Sequence, residues 1–174
     1  MSFFELGGIK VPLESVLDFQ QNYEPISDNN PIRLANGSAI LLSSPLSSKI
    51  RTTLSGKGWV IAGLNGIDFN SELTLKCAVP LGISSASNVI TLPSSRRSDS
   101  GYEPYGYAIM PDGSETKTNV NISVDTATLD TVSGATQYKV EYFPELQVIV
   151  TKKPRDSVDR GAVTYSWAIT AEEV

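Results

Sequence analysis

Arg51-Thr-Thr-Leu-Ser-Gly-Lys-Gly-Trp-Val-Ile-Ala-Gly-Leu-Asn-Gly-Ile-Asp-Phe-Asn-Ser-Glu-Leu-Thr-Leu-Lys-Cys77 is the stretch that decides the fold class. Apolar and polar residues alternate on either side of a glycine-punctuated turn. A period of two marks a half-buried strand, because successive side chains of a strand point to opposite faces of the sheet. Trp59 sits where the first run meets the turn and reads as its anchor. Nothing in the stretch looks catalytic. Gly56, Gly58, Gly63 and Gly66 do not make a phosphate loop, since no strand-to-helix transition follows them.

The same pattern continues in both directions. Ile32-Arg-Leu34, the turn Asn36-Gly37 and Ala39-Ile-Leu-Leu42 read as a hairpin, Asn-Gly being the strongest short hairpin signal. Tyr105–Met110, the turn Pro111-Asp-Gly113 and Thr116–Val124 predict a second. Gln137–Phe143 and Leu146–Thr151 flank Pro144-Glu145. At the end, Val163, Tyr165, Trp167 and Ile169 alternate with Thr164, Ser166, Ala168 and Thr170, which predicts a half-buried terminal strand. Turn signals recur every 8–12 residues or roughly so, and no helix of about ten residues is expected. The fold class is therefore all-β: an antiparallel sandwich or a barrel-like sheet.

Residues 1–31 stand apart. They carry Phe3, Phe4, Leu6, Ile9, Val11, Leu13, Val16, Leu17 and Phe19 and read as an extended, apolar N-terminal arm. Pro12 followed by Leu13, Val16 and Leu17 fits a short helix with proline in its first turn. The alternation also fits a strand, which the turn chemistry of Asp18–Pro25 favours. Residues 32–174 form the β domain. The serine-rich stretch 80–101 offers a subdivision within it, with Ser94-Ser-Arg-Arg-Ser-Asp-Ser-Gly101 as an exposed loop.

Composition narrows the function. The chain of 174 residues can bury one good core or two small ones. A net charge of −5 argues against nucleic acid, whose phosphates need a basic surface. No apolar run approaches the roughly 18 residues of a membrane-crossing helix, so no membrane partner is expected. The N-terminus lacks a basic segment and a cleavage pattern, so no signal peptide is expected. One cysteine, Cys77, forbids an intramolecular disulfide, and the expectation is folding in a reducing cytoplasm with Cys77 as a small buried hydrophobe.

Without histidine, no Ser-His-Asp or Cys-His arrangement is possible, and one cysteine cannot supply a zinc site. Ser114-Glu-Thr-Lys117 has the spacing of a serine–lysine pair but falls on a strand. Ser27-Asp-Asn-Asn30 and Asp125 offer oxygens without the ordered spacing of a calcium loop. No carboxylate pair stands out. The expectation is no catalytic residue, no cofactor, no metal and no enzyme. Tyr102-Glu-Pro-Tyr-Gly-Tyr107 could stack on a sugar, but tyrosines in such a patch more often serve packing or a subunit interface. Phe3, Phe4, Leu6, Tyr102, Tyr105 and Tyr107 are the candidate interface residues. Lys152-Lys-Pro-Arg155, with Asp156, Asp159 and Arg160, reads as a solvated loop, and second as a salt-bridge dock for a neighbour.

Four segments together carry a resemblance. They are Val11-Pro-Leu-Glu-Ser-Val-Leu-Asp-Phe-Gln-Gln-Asn-Tyr-Glu-Pro-Ile26, Arg51–Trp59 followed by Ala62–Asp68 in the opening stretch, Leu73-Thr-Leu-Lys-Cys-Ala-Val-Pro80 and Tyr165-Ser-Trp-Ala-Ile-Thr-Ala-Glu-Glu-Val174. The chain resembles virion proteins encoded among the tail genes of long-tailed bacteriophages and their prophages. The resemblance implies a structural tail protein near the tail tip or baseplate, made in the host cytoplasm and resident in the virion. Its partners would be itself, as a ring-like homo-oligomer, and other tail proteins. It brings no catalytic residues. A tail-terminator or head–tail connector subunit is the structural alternative, and a carbohydrate-binding β-sandwich for host adsorption is the alternative from another class.

Overall fold

The computed structural model describes residues 4–26, 31–41 and 49–174. It is all-β, with several antiparallel sheets and no closed barrel. Helical geometry among the described residues is confined to short 3-10 turns such as Leu13–Ser15 and Leu64–Gly66. The chain divides into two compact units. One is continuous, Lys76–Leu146; the other is discontinuous, Ser2–Leu75 with Gln147–Val174. The division expected between residues 31 and 32 is therefore replaced by an insertion within a larger unit. The insertion is bounded by two strands, β7 (Leu73–Lys76) and β15 (Glu145–Lys152), which are neighbours in one sheet.

The discontinuous unit is built on an eight-stranded sheet. Its centre is the terminal strand β17 (Thr164–Glu173), which pairs antiparallel with β15 on one side and with β6 (Ile50–Gly58) on the other. β3 (Gln20–Pro25) closes the β6 side, while β1 (Glu5–Leu6) and β2 (Ile9–Lys10) extend the sheet beyond β7. β16 (Ser157–Asp159) adds to the free end of β17. Period-two burial follows the sequence: Thr52, Leu54, Gly56 and Gly58 face inward from β6, and Trp167, Ile169 and Ala171 from β17.

The leader is not an arm. Phe4, Leu6, Val11 and Val16 are buried in this unit, and the Phe4 ring lies 5.7 Å from Phe19 and 5.4 Å from Trp167. Two glycines explain how the leader docks. A Cβ on Gly58 would stand 1.9 Å from the Glu14 carbonyl oxygen, and one on Gly56 would stand 2.7 Å from the Trp167 indole. Only a bare backbone lets the 3-10 turn and the indole lie this close to β6. Both readings of the leader survive in part: Pro12 leads into the 3-10 turn, and Gln20–Pro25 is a strand. Trp167, not Trp59, is the buried anchor, since Trp59 is 67% exposed.

The continuous unit is a small sandwich. Its four-stranded sheet runs β11 (Glu115–Thr118), β10 (Tyr105–Ile109), β14 (Gln137–Tyr142), β8 (Leu81–Ser85). Its three-stranded sheet runs β12 (Val120–Ser123), β13 (Thr126–Leu129), β9 (Val89–Thr91). Ile90, Ala108, Ala127, Leu129, Tyr138 and Val140 form the core of this unit. The run Thr116–Val124 is split at Asn119, so its halves serve different sheets. Asn119 and Asp130 tie the crossing: the Asp130 N–H donates to the Asn119 carbonyl at 3.1 Å, and the Asn119 amide donates to the Asp130 carboxylate at 3.0 Å. Pro144-Glu145 is not a hairpin turn, because β14 and β15 lie in different sheets.

The hairpin read at Asn36-Gly37 is present as β4 (Pro31–Arg33) and β5 (Ala39–Leu41), with Ile32 opposite Ile40. Every residue from 31 to 40 is exposed. Leu42, Phe3 and the oxygen cluster Ser27–Asn30 lie outside the described residues.

Candidate functional site

In the continuous unit the tyrosine patch divides by register. Tyr102 is buried rather than available to a partner. The Arg97 guanidinium lies 3.3 Å from its ring centroid, and Phe143 meets it edge-on at 4.9 Å. Arg97 itself is fully buried although it falls in the stretch Ser94–Gly101 that reads as an exposed loop. It donates to the Cys77 carbonyl at 2.7 Å and pairs with Asp99 at 2.6 Å, which satisfies a charge that could not otherwise be buried. This cluster locks the loop.

Tyr105 and Tyr107 are half-buried on the outer face of the four-stranded sheet, with their rings edge-on at 5.8 Å. Lys139, opposite Tyr107, lies 5.0 Å from its ring centroid and pairs with Glu115 at 2.7 Å and Glu141 at 2.8 Å. Burial, then a hydrogen bond to Glu141, pushes the Tyr105 hydroxyl up to about 12. The ring face a sugar would use on Tyr107 is thus occupied by a lysine, and the neighbouring polar groups already satisfy one another.

Three carboxyl groups of this unit titrate low, the exposed Asp112 through hydrogen bonds from Ser114. Asp99 is held down chiefly by the hydrogen bond from Arg97. At Glu141 burial works against ionisation, but hydrogen bonds from Lys139 and Tyr105 outweigh it. A depressed folded-state value means the stabilisation is present above the unfolded value and is lost as pH falls through the folded one. The continuous unit is therefore expected to lose stability progressively below about pH 4, the ordinary carboxylate range. Urea midpoints measured from pH 7 to pH 2 check this, and an Arg97→Gln variant should show a shallower acid decline.

The discontinuous unit exposes an apolar run directly after β6. Trp59, Val60 and Ile61 follow β6 without polar interruption, and all three are exposed. The Trp59 N–H donates to the Glu14 carbonyl at 2.9 Å, which sets this run beside Leu13 and Leu17, both more than half exposed. Next to it, Ile61, Ala62, Val158, Tyr165 and Trp167 line a cleft of about 230 Å³. The Asn65 amide donates to the Asp156 carboxylate at 2.9 Å at its polar side.

Of the six candidate interface residues, Phe3 lies outside the described residues, Phe4 and Leu6 are core, Tyr102 is packed under Arg97, and only Tyr105 and Tyr107 reach a surface. The physical reason is the same for Phe4 and Leu6 as for any strand: one face of a short alternating segment finds the sheet already present in its own chain. The exposed end around Trp59 is not among the six. Its signal was the unbroken Trp-Val-Ile run after a strictly alternating strand. No family model, no curated protein and no solved structure matches this chain. Among the described residues no helix is long and apolar enough to cross a membrane.

Proposed function

We propose that this chain is a structural subunit of a long-tailed bacteriophage tail, at the tip or baseplate, acting through assembly with further copies of itself and with neighbouring tail proteins, and with no catalysis of its own. The observation that carries this reading is the apolar end of the discontinuous unit. A tryptophan 67% exposed, continuous with Val60, Ile61, Leu13 and Leu17, is surface that gains free energy when another protein covers it. Aromatic and aliphatic anchors beside a shallow cleft are what the centre of a protein interface uses. The resemblance of four segments to virion tail proteins supplies the setting. A carbohydrate-binding role has less support, because Lys139 covers the Tyr107 ring.

A ring of identical subunits would bury the Trp59 end against the next copy. Sedimentation velocity of the purified full chain is expected to show a concentration-dependent oligomer. Trp59→Ser with Ile61→Asp is expected to shift it to monomer, with an unchanged circular dichroism spectrum because both side chains are exposed. A wild-type chain that stays monomeric at high concentration, or a double variant that assembles like wild type, sinks the proposal.

A further inference from the structure

A second surface of the discontinuous unit is polar where the first is apolar. β15 and β17 pair regularly from Val148 to Val150, and then the register shifts: Val150 faces Ala171, but it is Lys152 that faces Thr170. One extra residue is accommodated on β15, which is a β-bulge. In a regular strand two consecutive side chains point to opposite faces. Past this bulge Lys152 and Lys153 both line one groove, together with Arg155, Ala168, Ile169 and Thr170. The groove measures about 460 Å³, several times the volume of one inorganic phosphate ion.

The acids nearby are engaged elsewhere. Asp156 turns its carboxylate to the Asn65 amide in the neighbouring cleft. Asp159 accepts the N–H groups of Gly161 at 2.9 Å and Ala162 at 3.2 Å. Glu24 and Glu172, which line the adjoining groove with Lys152, are held by Arg51 at 3.5 Å and 2.8 Å. Among the described residues Lys152, Lys153 and Arg155 make no ion pair, and Lys153 has only the Phe69 ring, 6.0 Å away. A chain of net charge −5 thus keeps three cations clustered without an ion pair beside the Ala168–Thr170 stretch of β17.

We propose that this groove binds an extended polymer carrying closely spaced phosphate groups. Lysine ammonium groups act as mobile point charges toward phosphate, and Arg155 adds a planar fork for two of its oxygens. The volume of the groove and the three cations that line it favour several linked phosphates over one. The proposal is independent of the assembly reading, because its residues lie outside the Trp59 end.

The test titrates the full-length chain with inorganic tripolyphosphate by calorimetry, beside inorganic monophosphate, citrate and phosphatidylglycerol vesicles. Tripolyphosphate is expected to bind about tenfold or more tightly than monophosphate or citrate, and its affinity should fall steeply between about 50 and 200 mM salt. Lys152→Gln with Lys153→Gln and Arg155→Gln should abolish binding, and Lys153→Gln alone should weaken it several-fold. Lys117→Gln, on the other unit, should leave it unchanged. The proposal is overturned by no tripolyphosphate binding, by equal binding of citrate, by vesicle binding as strong as that of the soluble polymer, or by a triple variant that melts like wild type and still binds.

Discussion

Deletion of residues 1–12 is expected to unfold the discontinuous unit. The deletion removes Phe4, Leu6 and Val11, each almost wholly buried. A large apolar side chain gains about 1.5–3 kcal/mol when fully buried, so the three together account for roughly 5–9 kcal/mol. A whole domain is stable by only about 5–15 kcal/mol. The loss therefore consumes most or all of the margin of this unit. β1 and β2 go with the deletion, which also leaves the β7 side of the sheet without its neighbour. The continuous unit has its own core around Ile90, Leu129 and Val140 and is expected to keep a cooperative transition. Denaturant unfolding followed by far-ultraviolet circular dichroism should show one transition where the full chain has more amplitude. A truncated chain that melts within a few degrees of full length would mean that the leader contributes little to this core.

Strands were legible in this sequence; their partners were not. The alternation of Thr52, Leu54 and Gly56 or of Trp167, Ile169 and Ala171 is a local pattern, and it places one face of each strand inward without reference to the rest of the chain. The Asn36-Gly37 hairpin is equally local. That Tyr165 lies opposite Gly58, more than a hundred residues earlier, is not local. The same limit explains Pro144-Glu145, which has turn chemistry but passes the chain from one sheet to another. It explains Thr116–Val124, one run by pattern and two strands by pairing. The leader was misplaced because an apolar alternating segment reads the same whether it covers its own sheet or a neighbour's. Of the surfaces, Lys152-Lys-Pro-Arg155 was visible as a charge cluster, but the bulge that gathers it over one groove depends on the register with β17. The apolar end around Trp59 was hidden because a short apolar run reads the same whether it is buried or exposed.

Trp167→Ala is expected to destabilise the discontinuous unit by about 3–5 kcal/mol, the range for removing a large buried aromatic side chain. Trp167 touches the main parts of that core at once. Its ring lies 5.4 Å from Phe4 and 6.4 Å from Phe19, and it covers Gly56 of β6. Its indole N–H donates to the Ser15 carbonyl at 2.9 Å, which holds the 3-10 turn against the sheet. The substitution would leave a cavity between leader and sheet and an unpaired carbonyl at Ser15, and the latter adds about 1 kcal/mol or more. Trp167→Phe separates the two contributions: it keeps most of the ring and loses the hydrogen bond, so its cost should be well below that of alanine. Fluorescence gives a readout specific to the site. The chain has two tryptophans, one buried and one exposed. Wild-type emission should combine a blue-shifted component from Trp167 with a solvent-exposed one from Trp59, and the alanine variant should retain only the latter while still folded. A loss below about 1 kcal/mol, against the typical range for such a truncation, would show that the leader and β6 hold together without the indole between them.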